Sequence, residues 1–466
     1  MLPRRQFLQL SIAGSAGALL ACSAREPGAV KSPIADDWQL ADQIVQSIRE
    51  VQIPERDFVV EDFGAVADSD EDATRAIADA IAAAHAAGGG RVVCAKGVYQ
   101  TAAIHLKSNV ELHVAEGATL SFVTDPSRYL PAVFTRWEGM EMMGYSPLIY
   151  AYGQQNIAVT GGGVLDGNAN DQTWWPWKGA HKERHWDLIE GEDQRPARDA
   201  LQADVLAGVD PRERHYAEGS FLRPAFVQFY ACNQVKIEGV TLVNSPFWLL
   251  HPVLCESVVV RGVTCRSHGP NNDGCDPESC KNVLIEQCVF DTGDDCIALK
   301  SGRNEDGRRV GVAVENVVVR HCEMRDGHGG LVLGSEISGG ARNIFMEHCS
   351  MNSPHLERAL RFKTNARRGG VIEKVRVRHV HIQQAQEALV VNFHYEEGEA
   401  GEHMPTVRDI LVEDLRCDQV ERVFHLRGFA HNPVGAITLR RAQFGRVAKA
   451  DIIEHAPDLT LEQVVR

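Results

Sequence analysis

From residue 235 onward one phrase of apolar and polar positions returns along the chain: apolar, any, apolar, two of any kind, apolar, any, apolar. It reads Val235, Ile237, Val240, Leu242, then Val258, Val260, Val263, Cys265, then Val283, Ile285, Cys288, Phe290. Four more copies follow: Val317, Val319, Cys322, Met324; Ile344, Met346, Cys349, Met351; Val375, Val377, Val380, Ile382; and Ile410, Val412, Leu415, Cys417. Successive copies lie roughly 22 to 35 residues apart, the range in which one supersecondary unit per repeat stacks into a solenoid. Alternation with a period of two inside each copy means strand, and Gly, Asn, Asp and Ser between copies mean turn. No helical pattern intervenes, which excludes a doubly wound sheet. The pattern predicts an all-β fold, a single-stranded parallel β-helix whose rungs lie about 4.8 Å apart.

Two helical patterns precede the repeats. WQLADQIVQSIREV spaces Leu40, Ile44, Ile48 and Val51 on one face. A second helix has Asp72 as its N-cap, a face of Ala73, Ile77, Ala80, Ile81 and Ala84, and Gly88 at its end. Solenoids need closed ends, so this helix is expected to plug the first coil. A chain of 466 residues would usually divide into globular units. A solenoid need not, because its core lengthens without thickening. The expected organisation is a leader at 1–22, a tether and short helix at 23–55, and one β-helix at 56–466 interrupted by an insertion at about 168–220. That excursion is too long for an ordinary loop and is expected to carry its own helix. Trp174, Trp175 and Trp177 within it either stack on a ligand or anchor the excursion to the coil.

The repeat turns scattered polar residues into a column. Asp294, in TGDDCIALKSG, follows its anchor Val283 by 11 residues, and His328, in DGHGG, follows Val317 by 11. They should share a face, one rung apart. Asp273, in NNDGCD, precedes Asp294 by 21 residues, close to one short coil. Arg361 and Lys363, in LRFKTN, follow one coil after His328 and alternate along one strand, so they share a face. With Asp295 this gathers three carboxylates, an imidazole and two cations. Like charges at such range raise at least one pKa, so one carboxyl donates a proton while its neighbours stay basic. Glycoside hydrolysis requires that division. Asp and Asn that merely cap turns would account for one such residue, but not for a set in phase.

These motifs resemble those of the family 28 glycoside hydrolases, the polygalacturonases and rhamnogalacturonan hydrolases: NNDGCD the NTDGxD motif, GDDCIALKSG the DD motif, GHGG the GHG motif and RFK the RIK motif. The likeness extends to EDFGAVADSDEDATRAI, AAGGGRVVCAKGVY, GGGVLDGN and RPAFVQFYACNQVKIEGVTLVNSPFW. It implies a right-handed β-helix and an inverting hydrolase of linkages to galacturonic acid or its relatives in pectin. Carried over by motif position, Asp294 is the general acid, and Asp273 with Asp295 holds and activates water. His328 tunes the acid, Arg361 and Lys363 grip a substrate carboxylate, and Asn271 and Asp276 support the site. Asn272 stands where the motif has Thr and Phe362 where it has Ile, and neither change removes a reacting group. Rung spacing alone places acid and base about 5 Å apart, a separation associated with retention.

Composition adds a constraint. The chain carries a formal charge of -15, which disfavours nucleic acid and would repel an anionic uronide unless the cleft reverses the field locally. Lys300, Arg303, Arg342, Arg361, Lys363, Arg367 and Arg368 all follow the reactive rungs and are expected to do so. The 12 cysteines include no paired CxxC of zinc-site spacing, so neither metal nor other cofactor is expected. Cys288, Cys322 and Cys349 fall at one anchor position, where interior packing is the expected role, and Cys275, Cys280 and Cys296 are expected to be structural.

At the amino terminus Arg4 and Arg5 with Phe7 and Leu8 resemble a twin-arginine export signal, and Leu19, Leu20, Ala21, Cys22 a bacterial lipobox. The expectation is an exported, periplasmic or membrane-anchored protein, monomeric, with a possible lipid anchor at Cys22. Two rivals share the fold. A β-helical polysaccharide lyase would leave ultraviolet-absorbing unsaturated ends, and a carbohydrate-binding surface β-helix would cut nothing. If the excursion closes one end of the groove, exo action follows.

Overall fold

The computed structural model describes residues 33–181 and 185–466; the leader with Cys22, most of the tether and residues 182–184 of the excursion lie outside them. The repeated phrase stacks in register. Val235, Val258, Val283, Val317, Ile344, Val375 and Ile410 pair in parallel, each with the next. The last position of each phrase does the same, from Leu242 through Cys265, Phe290, Met324, Met351 and Ile382 to Cys417. Both sets are buried, so the alternation sends these side chains inward and stacks like on like. A third face runs through Leu250–Val253, Ile297–Leu299, Leu331–Leu333 and Arg358–Lys363.

Left-handed corner residues hold the register. Asn282, Asn316 and Asn343 each have a φ between 56° and 58°, a region that Asn tolerates better than other side chains. Their amides form a ladder, Asn316 Nδ2 donating to Asn282 Oδ1 and Asn343 Nδ2 to Asn316 Oδ1, both at 2.9 Å. The cysteines of the described residues are all buried and free. Cys288, Cys322 and Cys349 stand in the interior as the packing reading requires, and burial pushes the Cys296 thiol well up.

Helix α1 (Pro33–Ser47) starts before the predicted segment and ends before Val51. It lies along the outside of the solenoid. Trp38, Ala41, Ile44 and Ile48 cover an outward stripe of Val259, Leu284, Val318 and Phe345, one from each of four successive rungs. Asp37 pairs with Arg376 at 2.7 Å and Lys374 at 3.1 Å, and the Arg378 guanidinium sits 3.8 Å over the Trp38 ring. Helix α2 (Thr74–Ala86) buries Ile77, Ala80, Ile81 and Ala84 against the first coil. Asp72 caps it from one residue further out than predicted, its Oδ1 accepting from the Thr74 amide at 3.0 Å. Ala73 is the N-cap residue.

The excursion has a helix, α3 (Arg195–Leu206), as expected, but it also has a partner the pattern did not predict. Val133–Trp137 and Met140–Gly144 form an antiparallel hairpin turning at Glu138 and Gly139, both with positive φ, as a tight two-residue turn requires. His215–Tyr216 from the excursion joins it as a third strand. Leu201 and Val205 of α3 pack with Trp137, Met142 and Trp248, fixing the excursion over the third face.

Candidate active site

Rung register brings the predicted residues together. Val283 pairs with Val317, and Asp294 and His328 meet one rung apart, Asp294 Oδ1 lying 3.1 Å from His328 Nδ1. The Gly274 amide donates to the Asp295 carbonyl, which sets Asp273 beside the Asp294–Asp295 pair. Oxygens of Asp273, Asp294 and Asp295 lie within 4.8 Å of one another. Arg361 sits two rungs above Ala298, through Val332, yet its Nη1 reaches Asp295 Oδ1 at 3.1 Å. It crosses the middle rung where Gly329 stands. A Cβ there would lie 2.3 Å from Val332 Cγ2 and 3.1 Å from Asp295 Oδ1, so glycine keeps the passage open. Lys363 Nζ reaches the other Asp295 oxygen at 2.6 Å.

Lys300 and Arg303 join a second set of groups, most of whose partners the sequence did not single out. Lys300 Nζ lies 3.3 Å from Asp273, 3.4 Å from Asp276 and 3.4 Å from Glu336, under the Trp248 ring. Glu138, from the hairpin turn, receives Arg198 of α3 and Arg303, each at 3.1 Å. Tyr395 faces Arg361 and Lys363. All of these but Asp276 line one cavity of about 630 Å³ with Asp294 and His328, while Asp295 lies buried behind Arg361 and Lys363. Lys178, Arg198, Glu138, Trp248, Glu336 and Tyr395 escaped the sequence reading. Only Glu138 had a local signal, the two-residue Glu-Gly turn between apolar runs.

The electrostatics divide the carboxyls. Burial raises Asp294, but the charge and hydrogen bond of His328, with the charges of Lys363 and Arg361, together outweigh it and hold this carboxyl well below the usual range. The Asp294 charge in turn lifts His328 to about 9 against burial. The two therefore share one proton over the neutral range, resting on the imidazole. Burial also raises Asp295, but Lys363 and Arg361 bring it below the ordinary value. Asp273 goes the other way: burial, then the Asp294 charge, push it to about 7 against Lys300. Asp276, fully buried against Asp273, is raised well above the carboxylate range. The raised carboxyls of the site are thus Asp273 and Asp276, while Asp294 draws on its imidazole for the proton.

The remaining expectations sort by contact. Asn271 does not face the carboxylates: its Oδ1 accepts from Lys178 Nζ at 2.8 Å and from Arg223 Nη2 at 2.9 Å. Asn272 is a satisfied structural amide, accepting from the Gly269 amide and donating to the Ser245 and Phe247 carbonyls. Phe362 points into the core. Lys300 and Arg303 are cavity residues as expected, but Arg342 is not: it lies on the outward side of Ala341–Glu347 and pairs with Glu315. Arg368 is buried against Glu396, Glu397 and Asn304, and Arg367 stands outside the cavity lining, near Glu397. Trp174 and Trp177 are buried against each other and Trp175 donates to the Ser245 carbonyl, so all three anchor the excursion. Asp273, Asp294 and Asp295 are close enough to hold a cation, but Lys300, Arg361 and Lys363 supply the positive charge there. His268, Asp291 and Asp326 form a second such group among the described residues.

Comparison with known proteins agrees with this geometry. The model of glycosyl hydrolases family 28 matches residues 215–426. A hyperthermoactive exopolygalacturonase from Thermotoga maritima is 42% identical, with a TM-score of 0.88 over 92% of this chain and 96% of that one. A probable polygalacturonase from Vitis vinifera is 26% identical over 84% of this chain and 74% of its own length. An exo-poly-alpha-D-galacturonosidase from Dickeya chrysanthemi is 26% identical over 72% of this chain and 56% of its own. The fold is the right-handed parallel β-helix of these hydrolases, and the chain belongs to family 28 of the glycosyl hydrolases.

Proposed function

We propose that this enzyme removes galacturonic acid units from the ends of pectic chains and oligomers. The observation that carries the reading is a single cavity in which the Asp294–His328 pair and Asp273 meet Arg361 and Lys363, with Asp295 directly behind them and the excursion as one wall. Asp294 passes the proton it shares with His328 to the glycosidic oxygen. Asp273 and Asp295 hold the water that attacks the anomeric carbon, and Asp273 in its ionised form takes the water's proton. Arg361 and Lys363, held on one strand face, meet the carboxylate of the sugar. The excursion wall and the exo-acting relatives support attack at chain ends.

Inversion rests on the family likeness. Oxygens within 4.8 Å are nearer than the 6.5–9.5 Å typical of inverting pairs. The anomeric configuration of the first product, followed by proton NMR, decides this, and the inverted sugar is expected. The leader motif supports action outside the cytoplasm, where a polymer can reach the enzyme. Digestion of defined oligogalacturonides with product lengths resolved tests the whole reading. Stepwise loss of one terminal unit is expected; mid-chain fragments would make the enzyme endo-acting, and ultraviolet-absorbing ends would make it a lyase.

A further inference from the structure

The cations around the cavity are not equivalent. Arg198 and Arg303 face Glu138, Lys300 faces Asp273, and Arg361 and Lys363 face Asp295. Arg195 and Arg358 likewise have carboxylates beside them. Lys178 differs: among the described residues no carboxylate lies within 4 Å of it, and its ammonium donates to the neutral Asn271 side chain at 2.8 Å. Arg223, behind it and fully buried, is also without an acidic partner among the described residues. Its guanidinium donates to Gln194, to the Pro246 and Pro270 carbonyls and to the same Asn271 oxygen. One amide oxygen therefore collects two positive charges at the cavity wall. Burial lowers both pKa values, Arg223 to about 9, against the more distant charges of Glu138 and Asp294, which raise them without touching either cation. Charge held out of water with no carboxylate in contact is costly to keep and is commonest where a ligand supplies the opposite sign.

We propose that Lys178, backed by Arg223 and oriented by Asn271, forms a second uronate-binding subsite that takes the carboxylate of the sugar across the scissile bond from the one met by Arg361 and Lys363. The inference rests on the proposed hydrolysis of uronides and extends it. Two consecutive galacturonates would each have a cation pair, with the shared Asp294–His328 proton between them. Lys178 comes from the excursion, immediately after Pro176 and Trp177. The insertion would then act as a receptor for the terminal sugar as well as a wall. Lys178 is the contacting group, and Asn271 and Arg223 are positioning residues.

The test compares digalacturonate with its two derivatives in which one carboxylate is reduced to a primary alcohol, using the full-length protein and its Lys178→Met and Lys178→Arg variants. Loss of the carboxylate on the Lys178 side should lower kcat/KM of the unsubstituted enzyme about 10- to 100-fold, the range of a hydrogen bond to a charged group. Lys178→Met should lose as much with digalacturonate and nothing further with that derivative, while Lys178→Arg recovers part of the loss. Losses that simply multiply, or a variant equally impaired on all three substrates, would overturn the subsite but leave the hydrolase standing. An unsubstituted enzyme that cleaves digalacturonate and ignores removal of either single carboxylate overturns it without any variant. An enzyme that cleaves no uronide overturns both proposals.

Discussion

Two cation pairs flank the same carboxylates, and they were built differently. Arg361 and Lys363 stand on a solenoid strand and are neutralised by Asp295 at 3.1 and 2.6 Å. Lys178 and Arg223 meet at the edge of the excursion and share the uncharged oxygen of Asn271. The first pair is structure as much as recognition, because Asp295 has no exposed surface and needs its cations whether or not a sugar is present. The second has no such obligation. A substrate carboxylate must compete with Asp295 for the first pair, whereas it would complete the second. The same residue types thus tie the rungs together in one place and wait for a ligand in the other.

The comparison can be broken first at the group both pairs surround. Asp294→Asn is expected to lower kcat about 10²- to 10⁴-fold, the range for losing a general acid. Oligogalacturonide affinity, measured by calorimetry, should be largely kept. Retained turnover would move the acid role elsewhere.

The two pairs should differ in what they contribute to stability. Lys363→Met leaves buried Asp295 with Arg361 alone and should cost about 3 kcal/mol, as broken buried ion pairs do. Lys178→Met removes a charge that no carboxylate among the described residues contacts, and should leave stability unchanged or higher. Urea unfolding of both variants would show this, and equal losses would erase the distinction drawn between them.

The pH profile sharpens the division among the carboxyls. Asp273, pushed to about 7, takes up a proton as pH falls through that value and can then no longer serve as base, so kcat/KM should decline on the acid side. The proton shared by His328 and Asp294 is held until pH passes about 9, so the rate should decline again above it. In His328→Gln the proton must rest on Asp294 alone, which moves the alkaline limb down. An unmoved limb would detach His328 from the acid.

The smallest effect is expected outside the cavity. Arg342→Ala removes an exposed pair with Glu315 and should change stability by no more than about 0.5 kcal/mol and kcat/KM not at all.

What the sequence could show follows the same division. Along the coil each residue has a phase, and phase carries both burial and facing. The stack from Val235 to Ile410 and the meeting of Asp294 with His328 were therefore legible before any coordinates. Arg342 was misplaced where phase was neglected, since its position in the strand points it outward. Lys178, Glu138 and Arg223 had no phase to read. Their surroundings depend on a hairpin and a third strand at His215–Tyr216, in which His215 pairs with Met143 and Tyr216 with Gly144, each 72 positions back. Asn271 was picked out by its motif, yet its partners come from outside the repeat.

Helix α1 is synthesised before any rung exists, but its seat comes late. Trp38 rests on Phe345 and its indole donates to Glu413, 375 residues downstream, while Asp37 waits for Arg376. The first helix among the described residues thus cannot complete its contacts until Glu413 has been made. In a chain stopped short of those coils α1 would lack its contacts with Phe345, Arg376 and Glu413, and the strip of Val259, Leu284 and Val318 beneath it would be loosely covered. That greasy strip would mark an unfinished molecule for retention or destruction.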